Sequence, residues 1–321
     1  MSAPLLQVEH LSLSYDGLRH AVEDISFTVG AGSIFALAGP NGAGKTSTLR
    51  MLATLADPDA GRIVLDGIDL AHDREGARRR VGYLPDHFAL YDAMTPLEYL
   101  DFFARCHGVP DLERVARAER LLEELDLAGK RAAPIRSLSR GMRQRLGIAK
   151  TLMHDPKLLL LDEPASALDP AARARLREVL ARLAKRGLAI VISSHILPDL
   201  ADLADTVGIM EGGRMIRTGA IDAIARASAM RAVYCIDVLG GADRARRALD
   251  DFGPRLHRRD EVAPSSPSGA MRIEVEVDGG DEAVADLIES LVLRGARVSR
   301  VAPKESALEA VYRASAARAV A

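Results

Sequence analysis

The residues best suited to chemistry are Gly39-Pro40-Asn41-Gly42-Ala43-Gly44-Lys45-Thr46, which fit the phosphate-binding pattern G-x-x-x-x-G-K-[ST]. Glycines at 39, 42 and 44 let the backbone take positive φ and turn successive N–H groups toward one concavity, and a helix starting behind them adds the positive end of its dipole. Lys45 supplies a mobile charge for β and γ phosphates, the Thr46 hydroxyl can ligate Mg2+, and Ser47 opens the following helix. An apolar strand before the loop (Ser33 to Ala38) and a helical pattern after it (Ser47 to Leu55) are the flanks this motif requires. A nucleotide polyphosphate is the ligand such a loop selects.

A second stretch is Leu158 to Leu161 followed by Asp162-Glu163-Pro164. A fully apolar short strand is buried in a parallel sheet and delivers its C-terminal carboxylates where α/β sheets place ligands. Asp162 suits the magnesium shell, and Glu163 is placed to orient or deprotonate an attacking water.

The third stretch, Leu138-Ser139-Arg140-Gly141-Met142-Arg143-Gln144-Arg145, lies 23 residues before Asp162, counted from Ser139. Here the chain resembles the ATP-binding cassette (ABC) family, whose signature is commonly Leu-Ser-Gly-Gly-Gln followed by Gln-Arg. The resemblance runs from residue 5 to about 220. It implies that Ser139 and Gly141 meet the γ phosphate of ATP bound by a second copy, and that Tyr15, 30 residues before Lys45, stacks on adenine. It also implies that the Ser166-to-Asp169 loop communicates across the dimer and that His195 contacts the γ phosphate. Each of these has a structural alternative: Ser139 and Asp169 can be plain helix caps, Tyr15 a core tyrosine, His195 a strand-end histidine.

Two departures from the family pattern stand out. Asp86, in Gly82-Tyr83-Leu84-Pro85-Asp86, replaces a glutamine that reaches the magnesium and the attacking water, which makes Asp86 a candidate metal and nucleotide ligand. Arg140 and Met142 stand where glycine and glutamine are usual.

The resemblance implies an ATPase subunit of an ABC transporter that works as a homodimer on separate integral-membrane permease subunits, peripheral at the cytoplasmic face of the cell membrane. The ending Lys304 to Tyr312 is similar to the extension on cassettes of drug, antibiotic and lipid or polysaccharide exporters, so export is expected. Asp86 and Tyr91 to Glu98 are expected to receive a permease coupling helix. The alternative is a soluble non-transport ABC ATPase of the translation or DNA-repair type, against which stand the single P-loop and the short interval of about ninety residues between Lys45 and Ser139.

The elements that must position these residues follow from periodicity. Residues 5 to 38 read as strands, with Asp16-Gly17 and Gly30-Ala31-Gly32 as turns. Asp66-Gly67 and Glu211-Gly212-Gly213 mark hairpins, and Val81 to Leu84 and Ala189 to Ser194 are apolar strands. From about 95 to 155 the spacing turns helical, with Glu119 to Leu127 and Met142 to Met153 as amphipathic helices, and Ala171 to Lys185 is a further helix. The expected fold is α/β, a P-loop cassette over 1–220 with an inserted helical subdomain, followed over 221–321 by a small α+β domain whose order is βαββαβ, as in ferredoxin-like folds. A helix at Ile221 to Ser228, a loop at Pro264 to Gly269 and a last helix at Ser306 to Ala316 complete the expectation.

Bulk numbers set the outer limits. A chain of 321 residues, 48% hydrophobic and 27% charged, has ample core. Its formal net charge of −2 gives no basic excess, so nucleic acid is not an expected partner. Arg78-Arg79-Arg80 reads as a solvated surface. Cys106 and Cys235 match no metal or redox spacing and are expected in the core. The N-terminal segment lacks the basic and apolar stretches of a signal peptide, and no apolar run approaches membrane-spanning length.

Overall fold

The computed structural model describes residues 3–196, 200, 202–224, 231–239, 242–252, 256–262 and 271–304. Two compact units result, Met1–Gly219 and Ala220–Ala321.

The first unit is built on two sheets. Strands β1 (Leu6–Ser14), β2 (His20–Val29), β4 (Ala60–Leu65) and β5 (Ile68–Asp69) form one in the order β2-β1-β4-β5. Their pairing is antiparallel, and Asp66-Gly67 closes the β4–β5 hairpin with Leu65 opposite Ile68. The second sheet contains β3 (Ile34–Ala38), β6 (Val81–Leu84), β7 (Leu158–Leu161), β8 (Ala189–Ser194), β9 (Thr206–Glu211) and β10 (Arg214–Ala220), ordered β10-β9-β3-β8-β7-β6. From β9 to β6 every pairing is parallel. Strands β3, β7 and β8 are buried along their whole length, which is why they read without alternation, as continuous apolar runs in β3 and β7 and as one closed by Ser193 and Ser194 in β8.

Helix α1 (Lys45–Leu52) follows the P-loop, and its Leu49, Met51 and Leu52 join Leu6, Val8, Ile25, Phe35 and Leu160 in one core. Phe27 stacks on Phe35 with ring centroids 4.6 Å apart, tying the antiparallel sheet to the parallel one. A short helix, α2 (Arg74–Arg78), precedes β6. Arg78 donates to Thr54 and Arg80 to Asp66, so the arginine triplet staples its loop to the fold as well as facing solvent.

Between β6 and β7 lie α3 (Pro96–Cys106), α4 (Asp111–Glu124) and α5 (Arg140–Thr151). Helix α3 starts in a capping box, Thr95 with Glu98, with Pro96 inside its first turn. Helix α4 begins at Asp111, eight residues before the expected Glu119, because Asp111 and Glu113 suit a helix start despite the polar sequence there. Helix α1 is shorter than its apolar pattern suggests: Thr54 takes φ +57 and ends it. Cys106 corrects an expectation, being exposed; the buried stripe of α3 is Tyr99, Leu100 and Ala104, and position 106 falls off it. Beyond β7, helix α6 (Pro170–Lys185) leads to β8.

The second unit runs β11 (Arg231–Val238), α7 (Ala242–Asp251), β12 (Leu256–Val262), β13 (Met271–Asp278), α8 (Gly280–Leu293) and β14 (Val298–Pro303). Its four strands pair antiparallel in the order β12-β13-β11-β14. Ile236, Ile273, Val275 and Val277 on alternate strand positions bury against Ala245, Leu249, Leu287 and Leu291 of the helices. The expected loop at 264–269, the helix at 306–316 and the end of the helix at 221–228 lie outside the described residues.

Candidate nucleotide site

The loop after β3 is shaped by its glycines. Gly39, Gly42 and Gly44 have φ of +153°, +82° and +100°. A Cβ at Gly39 would stand 2.2 Å from the Met210 carbonyl oxygen, and one at Gly44 2.4 Å from that of Ala21, so these two positions exclude any side chain. Gly42 has open space around it and is required by conformation alone. Pro40 and Asn41 form the outer turn, closed by Ala43 N–H donating to the Pro40 carbonyl at 3.2 Å.

Lys45, 5% exposed, folds its side chain back over this loop. Its Nζ donates to the carbonyls of Gly39 at 2.7 Å and Pro40 at 3.0 Å. The same ammonium lies 3.3 Å from Oε1 of Glu163, an oxygen that is buried and has no directed hydrogen bond. The cradle therefore holds a buried cation beside a carboxylate oxygen with capacity to spare.

The strand ends complete the arrangement. Asp162, 3% exposed, receives the Thr46 hydroxyl at 3.1 Å and the Ser193 hydroxyl at 2.6 Å on the same oxygen, Oδ1. Ser193 also accepts from the Glu163 amide at 2.9 Å, so one buried hydroxyl fixes both acidic residues. Glu163 itself sits at φ +46°, a conformation a non-glycine residue holds only under constraint. His195 Nδ1 lies 2.8 Å from the other Glu163 oxygen, Oε2. Thr46, Asp162, Glu163, Lys45 and His195, from three separate segments, thus form one contiguous set. Ser193 is the functional residue that sequence reasoning passed over; two hydroxyls closing an otherwise apolar buried strand were the available signal. Beside the set, burial chiefly, then the nearby Asp162 carboxylate, pushes the Tyr83 hydroxyl on β6 up to about 12.

The remaining sequence candidates sit around this set. Tyr15 is 60% exposed, with its hydroxyl donating to Ser47 Oγ at 3.3 Å, so its ring stands beside the first turn of α1 and not in the core. Ser139 caps α5, accepting from the Met142 amide at 3.4 Å, and buried Gly141 lets α5 approach α6, since a Cβ there would come 2.9 Å from that of Ala172. Asp169 caps α6 by accepting from Ala172 at 2.8 Å. Within one chain these three do structural work. Asp86 accepts from Ser166 Oγ at 3.2 Å through Oδ1 and faces His87 Nδ1 at 3.0 Å through Oδ2.

Hard oxygen donors converging from Thr46 and Asp162 fit Mg2+. The glycine-lined cradle with Lys45 fits the phosphates of a nucleotide. Among the described residues no helix is long and apolar enough to cross a membrane.

Comparison with known proteins agrees with this geometry. The model of the family described as ABC transporter matches residues 22–166. The Nod factor export ATP-binding protein I of Ralstonia nicotianae is 41% identical over 218 residues, 68% of each chain. YxlF of Bacillus subtilis, an ABC transporter ATP-binding protein, is 34% identical over 310 residues, 96% of this chain and 98% of its own, and so matches both units. A solved structure, the ATP-binding subunit of an ABC transporter, superposes with a TM-score of 0.61 at 34% identity, covering 70% of this chain and 92% of that one.

Proposed function

The chain belongs to the ATP-binding proteins of ABC transporters, the ATP-hydrolysing subunits that work with membrane permeases, and from that premise we propose that it powers export as an ATP-sandwiching homodimer at the cytoplasmic face of the membrane. Export is supported by the relative named for Nod factor export and by the similarity of the C-terminal ending to exporter cassettes.

The observation that carries the mechanism is Glu163 held between Lys45 at 3.3 Å and His195 at 2.8 Å. With ATP bound, the P-loop amides and Lys45 receive the β and γ phosphates, and Tyr15 offers its exposed ring to the adenine. Thr46 and Asp162 would hold Mg2+, which would supply positive charge against the phosphates. Glu163 takes the proton of the attacking water, and His195, in contact with the same carboxylate, reaches the γ phosphate. Ser139 and Gly141 of a second copy close the site over the γ phosphate, the helix α5 N-terminus lending its dipole. Asp169 and its loop would communicate across the two copies, as the family resemblance implies.

Replacing Glu163 by Gln tests this directly. The amide keeps the shape and loses the base, so turnover should fall by about a thousandfold, within the range for a lost general base. ATP binding should persist, and size-exclusion chromatography with ATP should show a dimer. Unchanged turnover in Glu163→Gln overturns the assignment.

A further inference from the structure

Between Glu163 and helix α6 runs a short loop with two non-glycine residues at positive φ, Glu163 at +46° and Ala167 at +53°. Each such residue costs about as much as one ordinary hydrogen bond is worth, so the loop holds its shape only while it is tied from outside. Its start is tied: Ser193 accepts the Glu163 amide, and the Ser166 amide donates to the Glu163 carbonyl at 3.0 Å. Its end is tied too, by the Asp169 cap and by Arg173 donating to the Leu168 carbonyl at 3.0 Å. The side chain that holds its middle is Asp86, which accepts the Ser166 hydroxyl at 3.2 Å across 80 residues of sequence.

Asp86 is well mounted for that task. Two residues before it, the Leu84 carbonyl accepts the Asp162 amide at 3.0 Å, so the end of β6 is registered on the end of β7. Two residues after it, the Phe88 ring lies on helix α5: a Cβ at Gly147 would come 2.6 Å from that ring. The segment from Leu84 to Phe88 therefore runs from the catalytic strand end to the helix that carries Ser139 at its cap. Both carboxylate oxygens of Asp86 are engaged, one by Ser166 and the other by His87.

We propose that Asp86 is a positioning residue, acting through the Ser166 hydroxyl to set the Glu163-to-Asp169 loop instead of ligating magnesium. The proposal rests on Glu163 being the base. A glutamine at this position could reach out to a metal-bound water; a carboxylate on a shorter side chain gives up that reach and gains a charged acceptor for a hydroxyl.

The test is steady-state ATPase kinetics on the full chain for Asp86→Ala, Asp86→Asn, Ser166→Ala and the Asp86→Ala/Ser166→Ala double variant, with ATP and Mg2+ titrated separately. Binding of a fluorescent ATP analogue checks that each variant is folded. Expected are a fall in kcat of about fivefold in each alanine variant, the loss of roughly one hydrogen bond's worth of positioning, with KM for ATP and half-saturating Mg2+ unchanged. The double variant should be no worse than either single one, because one contact is lost once. Asp86→Asn, which keeps an oxygen acceptor, should recover at least half of the lost rate. A raised Mg2+ requirement in both Asp86 variants with wild-type kcat in Ser166→Ala, additive losses in the double variant, or no loss at all would each overturn the proposal. Running Glu163→Gln in the same series separates the two readings: turnover kept there sinks the base, whereas turnover lost there beside additive losses sinks only the bridge.

Discussion

The two halves of the nucleotide site are built differently. The half on the parallel sheet is finished inside one chain. Lys45, Asp162 and Ser193 are all at least nine-tenths buried, and each is satisfied by named partners within the set. The half contributed by Ser139, Gly141 and Asp169 is spent on capping and packing helices, with Ser139 and Asp169 exposed. Buried polar groups must find partners locally because water is absent. Exposed helix caps carry no such obligation, so the Ser139 hydroxyl and the free helix-end N–H groups stay open to solvent, where the proposed second copy would use them. On the proposed reading, the sheet half is an intramolecular device and the helix half an intermolecular one.

The largest effect that could break this contrast is on the sheet half. Lys45→Ala removes the charge that faces the phosphates and leaves Glu163 Oε1 without a cation, and ATP binding should weaken by about a hundredfold, read by titration of a fluorescent analogue. Binding within a few-fold of wild type would show that the cradle amides suffice.

The helix half is tested by Ser139. Ser139→Ala should cost about 1 kcal/mol of stability through the lost cap and also lower turnover. Ser139→Asp separates the two roles, because aspartate caps as well as serine but places a negative charge toward a phosphate. Thermal stability should return with Asp while turnover stays low; if both return, Ser139 is only a cap.

The test with the least expected effect on turnover lies away from the site, in the helical insertion. His154 donates through Nε2 to the Val81 carbonyl at 3.0 Å, stacks on His107 with centroids 4.2 Å apart, and has a buried Nδ1 with no partner. Burial chiefly, then the neighbouring His107, lower its pKa from 6.5 to about 4. The unfolded chain therefore takes up this proton first as pH falls, so stability is full above pH 6.5 and is lost down to about pH 4, by up to ~3 kcal/mol. Burial lowers His107 in the same direction. Urea midpoints from pH 7 to pH 4 should fall less in His154→Gln than in wild type, whereas parallel curves would exclude this histidine.

Much of the sheet half was legible in the sequence for the reason that it is satisfied locally. The glycine spacing at 39, 42 and 44 and the all-leucine strand before Asp162 are patterns with few alternative structures. Helix α4 extends further than its periodicity shows, and the limits of α3 are not legible from spacing, because their starts are set by capping groups, Thr95 with Glu98 and the acids after Pro110, in stretches of weak periodicity. Cys106 was misplaced because composition says nothing about which side of a helix the stripe occupies.

What the sequence by itself determined is the chemistry: which atoms can cradle phosphate, hold a hard cation and accept a proton. It could do so because each of those tasks is written in a contiguous run of residue types on a strand–loop–helix unit. What only the tertiary structure decided is which of them touch. Ser193 reaching both Asp162 and Glu163, Lys45 facing Glu163, and Asp86 holding Ser166 are contacts between segments 30 to 118 residues apart, brought together by the parallel register of β3, β8, β7 and β6. Side-chain identity specifies what a group can do; the strand order sets the neighbour it does it with.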